Sequence, residues 1–563
     1  MRGDALRPRS GDPPPIGPRP PEVVMRLDRL GASHPSRLSF LRALLRRVER
    51  EGWTVERPVW ALDPAGFGRA VYAVRTPRRL YSLVAFSDDL PAEKRTDRVI
   101  AEAWDATFVL YDGVPDAAEI ERLGANVRRQ EAGRYAATDL ILSRANKSVR
   151  LFEEVVAALA AGRQPDAKAV EDVGYLMRTT AVYGNGKFGI ADRDRIADRA
   201  EFAGPFQAEM LTVWLIRAFT VDLAEHCARG RSPCAIRLDP ALRRRFGVGN
   251  STGLGMAPFL VRHPVLVHRW ITARETALAR VRSLGEAGGA ERAAFRAALA
   301  QACDFVAAWR TQEPVQNGRI ARLREDLARL AEAAEDLATS GERPWDRLYR
   351  WAEDNLSLEG QECTASLLLE PHGALVDDLC DDLAADEDDY LRLDGRMRCD
   401  ELLGLIERHY AWALAMDFGD PASVARFWYV SAEKLEPRLG ERHREPGADL
   451  EQPLAFARDV AALHDALAGG SGDETAAALL LRRPDLRHVV RRVQLSARLP
   501  YAEIRDNLIA AGMKPIDLLR FKLAFFGASR FDPRSDRWLR ICLFQSAPFP
   551  DEMSAGAPAE AVA

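Results

Sequence analysis

The spacing of apolar positions changes along the chain, and the first 113 residues mix one helical stripe with several extended segments. Apolar residues three or four apart predict a helix over residues 35–51, with a stripe made of Leu38, Leu41, Leu45 and Val48. Alternating or continuous apolar runs predict strands over 53–62, 68–75, 80–86 and 107–111. Residues 34–113 are therefore predicted to form a small N-terminal α+β domain with a short, mostly antiparallel sheet.

From residue 115 onward the pattern is helical almost throughout. The clearest helix runs from Pro205 to Arg229, with proline in the first turn and Gly230 just past the end. An apolar seam also recurs at alternating spacings of three and four: Ile320, Leu323, Leu327, Leu330, Ala334 and Leu337. We predict a large irregular helical domain over 115–548, so that the fold class is mainly α. The Pro/Gly/Arg-rich residues 1–22 and the Ala/Pro-rich residues 551–563 are predicted to be disordered tails.

Composition narrows the class of protein. Of the 563 residues, 47% are hydrophobic and 29% charged, which is typical of a globular protein, and the net charge of −4 argues against nonspecific nucleic-acid binding. No apolar run reaches the length that spans a bilayer, and the N-terminus lacks the apolar core of a signal peptide. The seven cysteines never form CxxC. We predict a reduced cytoplasmic protein without a membrane segment.

Lysine and asparagine are scarce, which makes their positions informative. Of 79 basic residues only seven are Lys, and the chain contains only seven Asn. Two glycine-rich segments gather several of these residues, one over 183–189 and the other over 248–256. Because glycine lets backbone N–H groups converge on a ligand, we interpret both segments as loops that bind an anion.

The first loop supplies the main catalytic candidate, Lys187, with Tyr183 and Asn185 as candidate substrate-binding residues. Lys187 could contact a carboxylate or phosphate, or act as a base or Schiff-base nucleophile if its amine is desolvated. The alternative is a glycine-rich turn with Lys187 in solvent. The spacing is not that of a phosphate-binding P-loop.

The second loop offers side-chain and backbone donors through Asn250, Ser251 and Thr252. Such a loop opening a helix would hold an anion at the positive end of the helix dipole, although Pro264 places the start of the next helix further on. A functional loop and a simple connection are equally consistent with this pattern.

Two further segments complete the candidate site. Asn317 and Arg319 lie in a predicted turn between helices, Gln316 to Arg319, which could line the site, although Arg319 could merely begin the seam helix. Glu433 and Lys434 are the second-rank candidates for proton transfer, against the alternative of a solvated loop with ion pairs.

The sequence gives little support for a metal site or a catalytic cysteine. His263 and His268 are five residues apart, HExxH is absent, and no metal site is predicted. Cys363 stands beside Glu362, which opposes formation of a reactive thiolate.

These observations lead to a cytoplasmic, bacterial-type enzyme that acts on a small anionic metabolite: a carboxylate, sulfonate or phosphate. Cofactor-independent lyase or hydrolase chemistry fits the Lys, Asn, Ser and Glu set, although the sequence does not identify a cofactor or its absence. The alternative is a non-catalytic helical scaffold or regulatory protein whose α+β domain binds another protein. No nucleic-acid or membrane partner is expected, and a homo-oligomer is compatible with the sequence.

Overall fold

The computed structural model describes most of the chain, with gaps. The described residues are 15–26, 28–90, 104–127, 136–179, 196, 199–253, 264–337, 341–380, 394–419, 428–431, 437–439, 451–454, 456–501, 515–529, 532–533 and 538–554.

The central element is a curled, mixed nine-stranded sheet in the order β1-β2-β3-β4-β5-β6-β7-β12-β11. A separate three-stranded sheet has the order β10-β8-β9. The strands are β1 Thr54–Leu62, β2 Gly68–Arg75, β3 Leu80–Ser87, β4 Ala106–Asp112, β5 Asp139–Lys147, β6 Tyr175–Thr179, β7 Gly247–Gly253, β8 Trp428–Ser431, β9 Pro437–Leu439, β10 Glu451–Leu454, β11 Asp532–Pro533 and β12 Trp538–Leu543.

The prediction of a short sheet within residues 34–113 was wrong, because the large sheet continues through β5, β6, β7, β12 and β11. The missed strands have compositions that strands disfavour. The strand β7 consists of Gly, Val, Asn, Ser and Thr, and β5 ends in Arg, Ala, Asn and Lys. Pairing with a neighbour on each side stabilises β7, so tertiary hydrogen bonding overrides local preference there.

Helices surround this sheet and form the rest of the described chain. They are α1 Pro21–Val24, α2 Phe40–Arg50, α3 Ala117–Val127, α4 Phe152–Ala160, α5 Ala167–Val173, α6 Gln207–Arg231, α7 Pro240–Arg245, α8 Pro264–Arg282, α9 Gly289–Ala307, α10 Pro314–Leu337, α11 Pro344–Asn355, α12 Leu358–Leu367, α13 Gly373–Val376, α14 Cys399–His409, α15 Ala411–Leu414, α16 Phe456–Ala468, α17 Ala476–Arg482, α18 Arg487–Arg498, α19 Pro515–Phe521 and α20 Pro550–Ser554. A π-helical turn, Lys522–Phe526, continues α19.

Several predicted elements are confirmed. All four residues of the predicted stripe on α2 are buried, and the β2–β3 hairpin closes through a turn in which Thr76 N–H donates to the carbonyl of Arg79 at 2.9 Å. The seam of α10 is buried from Ile320 to Ala334 and packs against α9 and α11. The late strand predicted from Trp538 is β12.

The long helix α6 is confirmed within two residues at each end and packs against the sheet. It buries Arg217 completely, and burial lowers the pKa of this guanidinium to about 9. The guanidinium of Arg217 donates hydrogen bonds to backbone carbonyls. Its Nε donates to Phe246 at 2.6 Å, and its Nη1 donates to Ala547 at 2.7 Å. Arg217 thus ties the segment before α20 to the centre of the fold.

Three apolar clusters hold these layers together. The largest joins α2, one face of the sheet, α6 and the helices α8 to α12. A second, centred on Leu402, Ile406 and Val490, belongs to the helices between residues 399 and 493. A third packs Ile120 and Leu123 of α3 against sheet residues such as Val84. In the part of the chain that the structure describes, no helix combines the length and apolar character that crossing a bilayer requires.

Candidate functional site

Strand β6, which precedes the first glycine-rich segment, and strand β7, which forms most of the second, are neighbours in the sheet. Strand β6 ends at Thr179, and β7 runs parallel to it with Asn250 as the Cα partner of Thr179. The side-chain amide of Asn250 donates to the backbone carbonyl of Thr179 at 3.1 Å. Asn250 is buried, so one of the scarce asparagines joins the end of β6 to the middle of β7.

The first glycine-rich segment follows β6 in the sequence, and most of the second forms β7. Residue 180 follows Thr179 directly, and Lys187 lies eight residues further along the chain. Tyr183, Asn185 and Lys187 lie outside the described residues. Because β6 and β7 run parallel, the carboxyl end of β6 lies beside Asn250 of the second segment.

The second segment is not the loop that we predicted. Residues 247–253 form β7, and the backbone of Asn250, Ser251 and Thr252 pairs with β12. The glycine at 249 has a packing role, because a Cβ atom there would lie 2.7 Å from ring carbons of Tyr175. The helix-dipole interpretation therefore fails: these residues are part of a strand, and helix α8 begins only at Pro264.

Two buried arginines that the sequence analysis missed flank β7. Arg178 is the partner of Gly249, and Arg540 on β12 is the partner of Ser251. Residues 249 and 251 point to the same face of β7, so the register puts both arginines on one face of the sheet. Both are less than 5% exposed, and their strands lie roughly 10 Å apart. This face therefore carries two buried guanidinium groups, one on each side of β7.

Of the other predicted site residues, the structure describes Asn317 and Arg319. Asn317 and Arg319 lie inside α10, which begins at Pro314, so the predicted turn is absent. Glu313 explains the earlier start, because its carboxylate accepts from the Gln316 N–H at 2.7 Å. Arg319 forms an ion pair with Asp517. Glu433 and Lys434 lie outside the described residues.

Glu362 and Cys363 are confirmed as poor candidates for cysteine catalysis. Cys363 is fully buried, and burial raises the pKa of its thiol far above the usual value. Glu362 forms ion pairs with Arg19 at 2.7 Å and Arg274 at 3.1 Å, so its carboxylate has a structural role.

Lys522 is a further scarce lysine, located in the π-helical turn. Its side chain is buried, its Nζ lies 4.4 Å from the centre of the Phe526 ring, and burial lowers its pKa to about 7. Such an amine could act as a base near neutral pH; Lys522 does not line the surface cleft between β1, β2, α6 and α20.

A surface cleft of about 450 Å³ lies between β1, β2, α6 and α20. Within it, Tyr72 Oη and an Arg57 nitrogen both donate to Asp222 at 2.7 Å, and Arg243 pairs with Asp551 at the same distance. Burial and the Asp222 charge raise the pKa of Tyr72 well above its usual value. Since these charges neutralise one another, we assign no ligand to this cleft.

Among the described residues, no group of three or more His, Cys, Asp or Glu side chains is arranged to hold a metal ion. Comparison with known proteins gives no match: no family model, curated protein or solved structure is significantly similar to this chain.

Proposed function

We propose that this protein binds a small anion at the carboxyl ends of β6 and β7 and acts on it as an enzyme. The observation that carries the proposal is the parallel pairing of Thr179, the last residue of β6, with Asn250, which lies within the second glycine-rich segment. Ligands of open α/β sheets commonly bind outside the carboxyl ends of parallel strands, where two connections diverge. The analogy concerns the position of the site, since only one strand pair in the described sheet is parallel.

The local charge supports an anionic ligand. Arg178 and Arg540 bring two guanidinium groups to one face of the sheet beside β7. Arginine binds carboxylate and phosphate groups through paired hydrogen bonds, which favours these ligands over neutral ones. A carboxylate, sulfonate or phosphate is therefore the proposed ligand class.

The reactive group in this proposal is the amine of Lys187. Desolvation by bound substrate would lower its pKa, so that the neutral amine could take a proton or attack a carbonyl carbon. Tyr183, Asn185, Ser251 and Thr252 would position the substrate, while Asn250 holds the two strands together. Cofactor-independent lyase or hydrolase chemistry is the reaction class that we propose, with Glu433 and Lys434 as second candidates for proton transfer.

A thermal-shift screen tests the proposal. The full chain is heated with small carboxylates, sulfonates and phosphates, each at increasing concentration. A ligand present at 100 times its dissociation constant adds about 2.7 kcal/mol to the free energy of unfolding, which is readily detected. Hits are then incubated with the protein, and the products are followed by mass spectrometry.

Two substitutions and two controls locate the site. Lys187→Ala and Arg178→Gln should each reduce the shift caused by a hit. Lys168→Ala, at an exposed position on α5, and Arg75→Gln, at the exposed end of β2, should leave it unchanged. Shifts that are the same in all four variants would place the ligand elsewhere, and a screen without hits would favour the scaffold alternative.

A further inference from the structure

A second, fully buried group of charges lies far along the chain from β6 and β7. We call it the arginine cluster and define it as Arg19, Arg274, Glu275, Glu362 and Arg520. These residues come from the segment before α1, from α8, from α12 and from α19. Each side chain is at most 6% exposed, so water does not screen the charges.

Arg19 is the best-satisfied member of the cluster. Its Nε and Nη2 donate to the two oxygens of Glu275 at 2.7 and 2.8 Å. Its Nη1 and Nη2 donate to the two oxygens of Glu362 at 2.7 and 3.1 Å. Arg19 thereby forms ion pairs with both buried carboxylates of the cluster.

Arg274 and Arg520 are left with unused donors. Arg274 donates from Nη2 to Glu362 at 3.1 Å, and Arg520 donates from Nη1 to the carbonyl of Asp28 at 2.7 Å. Within the described part of the chain, Nη1 of Arg274 and both Nε and Nη2 of Arg520 are buried without an acceptor. An unpaired buried donor on a charged group lowers the free energy of unfolding, because the group has lost its hydrogen bonds to water.

The charges of the cluster do not balance either. Among the described residues, the cluster holds three buried guanidiniums and two buried carboxylates, an excess of one positive charge. The buried Asp517, three residues before Arg520, does not change this balance because it pairs with Arg319. At the edge, Arg29 donates to Glu362 at 3.3 Å, and the partly buried Glu359 accepts from Ser33 Oγ at 2.6 Å, so this edge adds one charge of each sign. Burial lowers the pKa of Arg274, and the nearby charge of Arg520 is among the groups that lower it further.

We propose that Arg274 and Arg520 hold one small monovalent anion of about the size of chloride. Such an ion accepts hydrogen bonds from any direction, so it satisfies donors of two guanidiniums at once. It also cancels the single excess charge, whereas a divalent anion would overcompensate. None of the cluster elements belongs to the β6–β7 edge, so this site is independent of the proposed function.

Bromide tests this site directly, because it replaces chloride and is visible by anomalous diffraction. Crystals of the full chain are grown with bromide as the halide, and data are collected at the bromine absorption edge. The proposal predicts an anomalous peak in contact with Nη1 of Arg274 and Nε or Nη2 of Arg520. Ordered water without an anomalous signal at this position would overturn it.

A solution measurement separates specific binding from general salt effects. The melting temperature of the wild type should rise with bromide concentration and then saturate, and this saturable rise should disappear in Arg520→Gln. The control, Arg42→Gln, removes an arginine paired with Glu370 at 2.9 Å outside the cluster and should keep the rise. An equal response in all three proteins would contradict the proposal. If Arg520→Gln does not fold, the diffraction result on the wild type decides.

Discussion

Asn250 and Thr179 face each other across two parallel strands, and the amide of Asn250 donates to the Thr179 carbonyl at 3.1 Å. This contact joins the last residue of β6 to the second glycine-rich segment. It also explains why an asparagine stands at 250, since a carboxylate would repel the carbonyl oxygen that the amide binds.

The contact between Gly249 and Tyr175 predicts a destabilising substitution. In Gly249→Ala the new Cβ would lie 2.7 Å from the Tyr175 ring, so the ring must move. We expect a loss of about 1–3 kcal/mol in the free energy of unfolding, measured by urea denaturation. Gly318→Ala is the matched control. Gly318 lies inside α10 with open space around its Cβ position, so alanine should stabilise the protein by about 0.5–1 kcal/mol. Equal effects at both positions would contradict this packing role.

From the buried ion pairs of Arg19, we predict that the segment before α1 is required for stability. Arg19→Met leaves Glu275 without an ion-pair partner in the described structure and removes the closest partner of Glu362. We expect a loss of about 3–5 kcal/mol, because unpaired buried charges are strongly destabilising. Arg26→Ala, which breaks an exposed pair with Asp28, should cost about 0–1 kcal/mol. Two variants of equal stability would show that the Arg19 pairs contribute little.

His34 predicts a dependence of stability on pH. Burial lowers its pKa from 6.5 to about 4, with Glu370 opposing and Arg42 adding to the shift. Between pH 6.5 and pH 4, His34 is therefore protonated in the unfolded chain but neutral in the folded protein. Its contribution to the free energy of unfolding is fully present above pH 6.5 and is lost as the pH falls toward 4. Between pH 7 and pH 5, the wild type should lose about 2 kcal/mol more than His34→Gln in urea denaturation. Parallel losses in both proteins would remove His34 as the cause.

Local apolar patterns were sufficient to predict α2, the β2–β3 hairpin, α6 and the seam of α10. The α2 stripe and the seam of α10 are buried with the period visible in the sequence, whereas α6, whose ends proline and glycine mark, is buried on nearly all sides. The extent of the sheet was not predictable in this way. Strand β7 has the composition of a loop, and what makes it a strand is pairing with β6 and β12, which come from distant parts of the chain.

The candidate site, too, was only partly predictable from local sequence patterns. Scarcity of asparagine and lysine pointed to Asn250, but its role in joining two strands depends on the strand order. Arg178 and Arg540 could not be identified from a sequence so rich in arginine. Only the strand register shows that they lie on one face of the sheet. A turn at Asn317 was predicted from the Asn-Gly pair, although Pro314 and Glu313 start the helix before it.

The central claim, an anion site at the ends of β6 and β7, is tested most directly by calorimetric titration of the strongest hit from the ligand screen. The dissociation constant is measured for the wild type, Lys187→Ala, Arg178→Gln and the control Lys168→Ala. We predict at least a tenfold weaker affinity for the first two variants, equivalent to about 1.4 kcal/mol, and an unchanged affinity for the control. The same dissociation constant in all four proteins would contradict the claim.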